Sequence, residues 1–479
     1  MEQDNTAALY ESVAKDVSPM ILAGLLPPGA RVPSVRVLSR EKRISISTVL
    51  QAYSLLENRG LIEARPQSGY YVRPELPDYA EPAVSKPPRS PQMVGVQELI
   101  SRVLEASQDK RMVALGPSIP DAKFVLAAQL QRLVAQVARR EPRALTTYSF
   151  PPGREALRRQ IALHMHRWGA RLSADEIIVT HGCVESVNLC LRAVAKPGDV
   201  IVLESPTYFG LLQVIESLGM KALELPTHPR DGLSLDALRV ALQRSRIGAC
   251  VLMPNVSNPL GSVMTEHAKR QLVKLLADNN VPLIEDAVYA DLVFDAPAIS
   301  TKAYDKTGNV MVCGSFSKTF APGFRLGWVA PGRFHAQVQL LKFITSGGVS
   351  ELVQLVVAQY LETGGYERLL RFLRSTYTRQ MDFVRDSVFQ HFPQGTKVTK
   401  PAGGSVLWVE MPRNVDSVGL HQRALKENIS LTPGPMFSAS GAYLNCLRLS
   451  CALPWNEDVA RAIARIGTLA HDLNRNVAK

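Results

Sequence analysis

Lys318 and Arg325 are the residues whose types and spacing first indicate chemistry. Lys318 follows Ser315 and Ser317 in the run Ser-Phe-Ser-Lys, and Arg325 comes seven residues later. A lysine amine can form an imine with an aldehyde, while serine hydroxyls and an arginine can hold a phosphate. A helix that begins near Lys318 would point its N-terminus at the same anion. The cluster predicts a site for an aldehyde cofactor that carries a phosphate, although a solvated surface lysine is the default interpretation of so short a motif.

The composition is that of a globular chain that is too long for one hydrophobic core. With 479 residues, of which 46% are hydrophobic and 20% charged, we expect two or three domains. No apolar run approaches the roughly 18 residues that a membrane span needs, and the polar start argues against a secretory signal. The six cysteines include no Cys-x-x-Cys pair. We therefore expect neither a metal site nor a disulfide framework, and we predict a cytoplasmic location.

The net charge of +12 is weak support for nucleic-acid binding, because it is not concentrated in the N-terminal region. Residues 1–75 contain nine Lys/Arg and eight Asp/Glu, so that most of the excess lies further along the chain. Charge indicates a nucleic-acid partner only where it is clustered on one domain or face. The prediction of DNA binding must come from motifs instead.

A proline-rich segment divides the chain. Six prolines occur in the 18 residues from Pro74 to Pro91, mixed with Glu, Ser and Lys. Such a density is typical of extended, semi-rigid connectors, and a surface loop within one domain is the alternative. We predict a linker over residues 74–95, which separates an N-terminal domain of residues 1–73 from a larger domain of residues 96–479.

The residues before the linker predict three helices. Apolar residues recur at helical spacing from Ala8 to Leu25, although Pro19 should interrupt or kink that helix. Ser34 can cap a second helix, and Ser45 or Ser47 can cap a third. Two short strands joined by Pro-Gln-Ser-Gly follow the third helix. Three helices and a hairpin are typical of a winged helix-turn-helix.

The helices and the hairpin, in the order in which they follow one another over residues 9–73, resemble the GntR family of DNA-binding domains. In that family an arginine, the hydroxyl residues that open the recognition helix and the tip of the wing contact DNA. Hydroxyls and amides can hold phosphates, and an arginine can reach a phosphate or a base edge. The residues at these positions here are Arg36, Ser45, Ser47, Thr48, Ser68 and Gly69. Ile46 stands where many members carry an arginine, so the base-reading set departs from theirs.

Alternating strands and helices after the linker predict an α/β domain with a mostly parallel sheet. Short apolar runs occur at residues 176–180, 199–203, 249–253, 282–285 and 310–313, and helical stretches lie between several of them. Ligands in such sheets bind at the carboxyl ends of the strands. Polar motifs follow several of these runs, so we expect them to share one site.

Two of these motifs suit a phosphate and a flat ring. Gly182 and Cys183 form a tight turn that opens a helix, which is a natural phosphate cradle. The neighbouring His181 is more often a structural histidine than a catalytic base. Tyr208, in Glu-Ser-Pro-Thr-Tyr, lies where an aromatic side chain could stack on a ring.

Two further motifs offer polar groups to the same ring. Asp286 and Tyr289, in Asp-Ala-Val-Tyr, place a carboxylate near a phenol. A carboxylate that faces a pyridine nitrogen would keep it protonated and make the ring an electron sink. Asn258 and Tyr289 could hydrogen-bond a phenolic oxygen on that ring. Singly, Asp286 and Asn258 could as easily be turn residues.

Together the motifs resemble the fold-type I pyridoxal-phosphate enzymes of the aspartate aminotransferase family, from about residue 110 to the C-terminus. The resemblance implies a large part at about residues 145–345 and a small part from the flanking segments. It implies that Lys318 forms a Schiff base with pyridoxal 5'-phosphate and that Arg448 clamps an α-carboxylate in a bidentate fork. The other implied cofactor contacts are Tyr148, Gly182, Cys183, Tyr208, Asn258, Asp286, Tyr289, Ser315, Ser317 and Arg325.

The combination of the two resemblances identifies the chain as similar to the MocR subfamily of bacterial regulators. In that subfamily the aminotransferase-like domain senses pyridoxal phosphate, alone or with an amino compound, and alters how a dimer holds operator DNA. Tyr148 resembles the tyrosine that reaches the phosphate of the neighbouring subunit, which implies a homodimer. A linker of about 20 residues spans at most about 60 to 70 Å, so we expect a crossed, head-to-tail dimer.

Two alternatives to a regulator stay open. An intact set of catalytic residues also permits a catalytically active aminotransferase with an accessory DNA-binding domain. A protein that stores or delivers the cofactor is the third possibility, but it leaves the function of residues 9–73 unexplained.

Overall fold

The structure is a computed structural model. It describes residues 9–58, 60–65, 68–73, 79–95, 100–101, 103, 111–124, 127–295 and 297–476. Part of the predicted linker, residues 74–78, and two residues of the predicted wing, 66–67, lie outside the described residues.

The N-terminal domain consists of three helices and an antiparallel hairpin, as the sequence predicts. The elements are α1 (Leu9–Leu22), α2 (Val35–Lys42), α3 (Ile46–Asn58), β1 (Ile62–Arg65) and β2 (Gly69–Val72). One cluster of buried apolar side chains joins all five elements, among them Val13, Leu38, Leu56, Ile62 and Val72. Full burial of such side chains contributes roughly 1.5–3 kcal/mol each, so this small domain has a core of its own.

Local capping signals set the starts of α2 and α3. Ser34 accepts a hydrogen bond from the amide of Val37 at 3.3 Å, and Ser45 accepts one from the amide of Thr48 at 3.1 Å. These bonds satisfy amides that the first turn of a helix leaves unpaired. Pro19 lies inside α1 rather than ending it. The helix continues to Leu22, so Pro19 does not interrupt it.

A short strand, β3 (Val113–Ala114), comes first in the chain and lies outside the main sheet of the large domain. The large domain is built on an eight-stranded sheet. Its strands are β4 (Ile178–Thr180), β5 (Val200–Ser205), β6 (Lys221–His228), β7 (Gly232–Leu233), β8 (Ile247–Leu252), β9 (Leu283–Asp286), β10 (Val310–Ser315) and β11 (Gly327–Ala330). The spatial order is β4-β11-β10-β9-β8-β5-β6-β7. The central strands β10, β9, β8, β5 and β6 pair in parallel, and β4, β11 and β7 are antiparallel to their neighbours.

Helices cover both faces of this sheet. They are α4 (Ala127–Arg140), α5 (Glu155–Arg167), α6 (Cys183–Val194), α7 (Phe209–Ser217), α8 (Leu235–Arg244), α9 (Glu266–Asp278) and α10 (His335–Ser346). Successive residues of a strand face opposite sides, so Ile201 and Leu203 belong to one buried cluster and Val202 to the other. Because both faces of the sheet are buried, the sequences of these strands are continuous apolar runs.

The C-terminal part adds a second, smaller layer. It contains α11 (Glu351–Glu362), α12 (Gly365–His391), β12 (Lys397–Val398), β13 (Val406–Glu410), α13 (Ser417–Leu425), β14 (Ile429–Ser430), β15 (Thr432–Pro433), β16 (Cys446–Ser450) and α14 (Glu457–Asn476). Four strands form a sheet in the order β12-β13-β16-β15, and β14 pairs with β3. None of the helices in the described ranges combines the length and the hydropathy that a membrane span requires.

The described part of the predicted linker, residues 79–95, lies against the larger domain. Gln92 and Ala222 exchange two backbone hydrogen bonds of 2.8 and 2.9 Å, and the amide of Ser85 donates to the carbonyl of Thr227 at 3.3 Å. The segment therefore follows β6 in an extended conformation. Its backbone polar groups find partners on the sheet, so this stretch is held against the domain.

Candidate functional site

The predicted cofactor residues meet at the carboxyl edge of the large sheet. Asp286 ends β9 and Ser315 ends β10, while Gly182 and Asn258 lie in the loops after β4 and β8. The parallel register of β9 and β10 places Asp286 opposite Cys313. This edge is where open α/β sheets bind ligands. The topology thus brings together side chains that are far apart in the sequence.

Gly182, two serines and Arg325 form an anion cradle. Gly182 precedes α6 with a φ of +104°, and a Cβ on it would lie 3.0 Å from Nη2 of Arg325. Arg325 Nη1 donates to Oγ of Ser317 at 3.3 Å, and Oγ of Ser315 donates to Oγ of Ser317 at 2.9 Å. Glycine is required here for both the backbone angle and the space. A guanidinium, two hydroxyls and a helix N-terminus around one point suit a phosphate.

The expectation of a helix beginning near Lys318 was wrong. Residues 316–320 form turns, and only a short 3-10 segment, Pro322–Phe324, follows in this loop. The reason is that β11 runs antiparallel to β10 immediately afterwards, so the chain must reverse. The amide of Phe316 closes the loop by donating to the carbonyl of Leu326 at 3.1 Å. The helix whose N-terminus adjoins the anion cradle is α6.

Asp286 is a buried carboxylate with few partners. The thiol of Cys183 donates to its Oδ1 at 3.1 Å, and the amide of Val288 donates to the same atom at 3.0 Å. Burial raises the pKa of Asp286 above its ordinary value, although these two hydrogen bonds and the charge of Lys318 oppose that shift. A carboxylate so placed fits a cationic partner such as a pyridinium. The side chain of Cys183 therefore faces this carboxylate.

Lys318 lies close to Tyr289 and to a segment that motif analysis did not single out. Its Nζ donates to the carbonyl of Ser118 and lies 6.0 Å from the centroid of the Tyr289 ring. The hydroxyl of Ser118 lies 2.7 Å from that of Tyr289 and 3.1 Å from that of Ser405. The two serines orient the Tyr289 phenol. Neither belongs to a motif, so only the folded chain reveals them.

Arg448 is fully buried beside Asn258. Its Nη1 donates to Oδ1 of Asn258 at 3.1 Å and its Nη2 to the carbonyl of Gly116 at 2.8 Å, while Nε has no hydrogen-bond partner. Burial lowers the pKa of Arg448. Within the part of the chain that the structure describes, no carboxylate forms an ion pair with it. A buried guanidinium with a spare donor and no counter-ion suits a carboxylate ligand.

Tyr208, predicted to stack on the ring, and Tyr148, predicted to reach the phosphate of a neighbouring subunit, differ in their placement. Tyr208 is half-buried, and burial raises its pKa to about 12 although the nearby Arg448 opposes the shift, so its hydroxyl stays neutral. Tyr148 is 89% exposed, and its ring stacks with Phe150, with centroids 6.2 Å apart. The structure therefore places Tyr208 at the site of its own chain. Tyr148 is on the surface of the chain.

The predicted DNA contacts lie on one domain and are accessible. Arg36, Ser45 and Ser47 are exposed, and Oγ of Ser45 lies 2.7 Å from the hydroxyl oxygens of both Ser47 and Thr48. This hydroxyl cluster opens α3. Ile46, the first residue of that helix, is 50% exposed. Short hydroxyl groups at a helix N-terminus are typical phosphate contacts.

Arg31, which was not among the DNA contacts predicted from the sequence, lies beside the wing. Oγ of Ser68 lies 2.6 Å from the hydroxyl of Tyr71, and Gly69 has a φ of +106°. The guanidinium of Arg31 lies 3.4 Å from the point that a Cβ on Gly69 would occupy. Arg31 is therefore beside the described part of the wing. Arg31 follows Pro28, Gly29 and Ala30 in the sequence, but its position beside the wing is visible only in the fold.

Comparison with known proteins covers both domains. Residues 9–72 match the bacterial regulatory proteins of the gntR family, and residues 112–466 match aminotransferase class I and II. The uncharacterized HTH-type transcriptional regulators YjiR and YdcR of Escherichia coli (strain K12) are each 37% identical to this chain. The matches cover 96% and 97% of this chain and 98% and 99% of theirs. A kynurenine aminotransferase of Pyrococcus horikoshii, at 25% identity, matches with a TM-score of 0.73 over 78% of this chain and 94% of its own.

A second solved relative is LysN, the alpha-aminoadipate aminotransferase of Thermus thermophilus, in a complex with N-(5'-phosphopyridoxyl)-L-leucine. It is 25% identical, with a TM-score of 0.71 over 80% of this chain and all of its own. The class of protein is thus a winged helix-turn-helix joined to an aminotransferase-like domain of fold type I. The chain belongs to the MocR subfamily of GntR-type bacterial transcription regulators.

Proposed function

We propose that this protein is a transcription regulator that binds operator DNA and senses pyridoxal phosphate, alone or with an amino compound. The observation that carries the proposal is the presence, in one chain, of an exposed DNA-contact set on α3 and a buried polar set around Lys318. Neither set alone explains the other domain. Together they supply a site that can bind an effector and a surface that can bind DNA.

The residues of the buried set fit pyridoxal phosphate. The anion cradle would hold the phosphate, and Asp286 would keep the ring nitrogen protonated. Asn258 and Tyr289 would bind the phenolic oxygen, and Tyr208 would stack on the ring. When bound, the cofactor supplies an aldehyde that condenses with amines. Lys318, whose Nζ lies 6.0 Å from the centroid of the Tyr289 ring, offers an amine at this site.

Arg448 gives the site a second binding function. Its buried guanidinium can exchange the carbonyl of Gly116 for a charged carboxylate without moving its Asn258 contact. A bidentate pair of a guanidinium with a carboxylate is stronger than the single hydrogen bond to a neutral carbonyl that it replaces. We propose that the effector is an amino compound, and that Arg448 selects those with an α-carboxylate.

An active aminotransferase is the second candidate, because Lys318, Asp286 and Arg448 are all present. The same residues that bind an amino acid would also permit its turnover. The winged helix-turn-helix, with its own core and its exposed hydroxyl cluster, favours regulation. Storage or delivery of the cofactor leaves that domain without a use. The cytoplasmic location stays a prediction.

We propose that the protein is a homodimer. Several apolar side chains near Tyr148 in the chain or in contact with Phe150 are exposed. The ring of Tyr148 stacks with that of Phe150, the ring centroids of Phe150 and Phe343 lie 6.1 Å apart, and Leu145 and Ile344 are 60% and 63% exposed. Contiguous apolar surface of this kind marks interaction sites, and a second copy would cover it. Sedimentation should give the mass of two chains, and Phe150→Asp with Phe343→Asp should give one. A single-chain mass for the wild type would contradict the homodimer.

If Lys318 forms an imine with pyridoxal phosphate, the protein should absorb visible light. Purified protein incubated with pyridoxal phosphate should be yellow, and borohydride should fix the cofactor to the chain and shift the absorbance. Lys318→Ala should abolish the band, whereas Lys274→Ala, which removes an exposed lysine of α9, should leave it unchanged. A colourless wild type after exposure to the cofactor would overturn the assignment.

The winged helix predicts separable DNA binding. Arg36→Ala should weaken binding to operator DNA by about 1–3 kcal/mol, or roughly 5- to 150-fold, and should leave the cofactor spectrum unchanged. Lys15→Ala removes an exposed cation on α1 of the same domain and is the matched control. Equal losses in both variants would show that Arg36 contributes only general charge.

The buried arginine predicts selectivity for carboxylates. Amino acids should perturb the spectrum of the bound cofactor, and Arg448→Lys should raise the concentration needed, because a lysine keeps the charge but loses the fork. The corresponding decarboxylated amines should act equally on both proteins. An unchanged wild-type spectrum across a broad panel would indicate that pyridoxal phosphate alone is the effector.

A further inference from the structure

Lys342, a buried lysine of α10, lies beside the turn that forms the anion cradle and is not among the residues that the motifs select. Its side chain is 0% exposed, and its Nζ lies 3.0 Å from Nδ1 of His181, the residue before Gly182. Nζ also donates to both carboxylate oxygens of Glu185, at 3.0 and 3.2 Å, and to Oγ of Ser346 at 2.6 Å. Polar groups of three residues therefore surround one buried ammonium.

Glu185 holds the turn that forms the cradle. It is the third residue of α6, and its Oε2 accepts a hydrogen bond of 2.6 Å from the amide of His181. An acidic residue in the first turn commonly satisfies an amide in this way. The carbonyl of His181 in turn accepts a hydrogen bond from Nη2 of Arg325 at 3.5 Å. Because Gly182 follows His181 directly, this carboxylate fixes the backbone on which the cradle depends.

A carboxylate at this position also competes with an anionic ligand. The N-terminus of α6 carries the partial positive charge that favours an anion. Glu185 is ionised: although burial opposes the shift, hydrogen bonds from His181 and the charge of Lys342 lower its pKa to about 2. Charges in a partly buried site are screened less than charges in solvent. A phosphate beside Gly182 would therefore be repelled by Glu185 unless a cation neutralised the carboxylate.

The ammonium of Lys342 is that cation. Burial lowers its pKa, and the charge of Glu185 opposes the shift. A second contact holds the two helices together, because Nη1 of Arg192 on α6 donates to Oγ1 of Thr345 on α10 at 2.8 Å. An apolar side chain could fill the same position without the desolvation cost of an ammonium. What the ammonium adds is the neutralisation of Glu185.

We propose that Glu185 and Lys342 are positioning residues for the phosphate of the cofactor. Glu185 fixes the turn of residues 181–182, and Lys342 cancels the negative charge that would otherwise repel the phosphate. The proposal rests on the proposed function, since it takes pyridoxal phosphate as the ligand. Neither side chain needs to touch the phosphate, because both act through the backbone and the charge around Gly182.

The test separates the phosphate from the rest of the cofactor. Pyridoxal has the same ring and aldehyde but no phosphate, so the ratio of its dissociation constant to that of pyridoxal phosphate measures the preference for the phosphate. Equilibrium dialysis gives both constants. In Lys342→Met the preference should fall roughly tenfold or more, as for the loss of one hydrogen bond to a charged group. The dissociation constant of pyridoxal should stay near that of the wild type.

Lys302→Met is the matched control. Lys302 also forms a buried ion pair, with Asp305 at 2.9 Å, but its Nζ donates to the carbonyl of Val310 at the start of β10, the opposite end of that strand from Ser315. This variant should lose thermal stability and keep the wild-type preference. Equal losses of preference in the two variants, or an unchanged preference in Lys342→Met, would overturn the proposal.

A double variant serves if Lys342→Met does not fold, since the single change leaves Glu185 as an unpaired and partly buried charge. Glu185→Leu with Lys342→Met removes both charges and should fold. It loses the carboxylate that fixes the turn but gains no repulsion, so its preference should lie between those of the wild type and Lys342→Met. A wild-type preference in the double variant would contradict the role of Glu185.

Inorganic phosphate separates this proposal from the proposed function. Phosphate, compared with chloride at equal ionic strength, should raise the melting temperature of the wild type and of Lys302→Met more than that of Lys342→Met. A wild type that binds neither pyridoxal phosphate nor pyridoxal would refute the sensing function, whereas a smaller effect of phosphate on Lys342→Met would still support the positioning role. An equal effect of phosphate on the wild type and Lys342→Met would overturn that role.

Discussion

The parallel pairing of β9 with β10 is the constraint on which the site depends. It places Asp286 opposite Cys313 and therefore next to the loop that carries Lys318. The thiol of Cys183, at the start of α6, donates a hydrogen bond to that carboxylate. One register thus holds the ring-nitrogen partner, the amine and the helix N-terminus in fixed relation. A slip by one residue would turn Asp286 to the opposite face of the sheet.

The same edge of the sheet carries charged groups that the chain leaves poorly compensated. Asp286 has two hydrogen bonds, and Arg448 keeps an unpaired Nε in a buried position. Buried charges without counter-ions cost stability, so they are expected where a ligand completes them.

The parts that sequence could predict are those set by neighbours in the chain. Ser34 and Ser45 cap the helices that their patterns indicate, and Gly182 has the backbone angle that only glycine adopts easily. The prediction of a helix near Lys318 was wrong because the order of the strands forces the chain to reverse its direction there. No local signal in the sequence shows this reversal. Ser118 and Ser405 come from segments remote in sequence. Tertiary contacts of this kind have no periodic or motif signature.

The central claim is that the cofactor site and the DNA-binding surface share one equilibrium. Thermodynamic linkage then requires that DNA change the affinity for the cofactor by the same factor by which the cofactor changes the affinity for DNA. The direct measurement is a titration of the wild type with pyridoxal phosphate, followed by absorbance, with and without saturating DNA selected on the protein. The account predicts affinities that differ about fivefold or more. Identical affinities would contradict it.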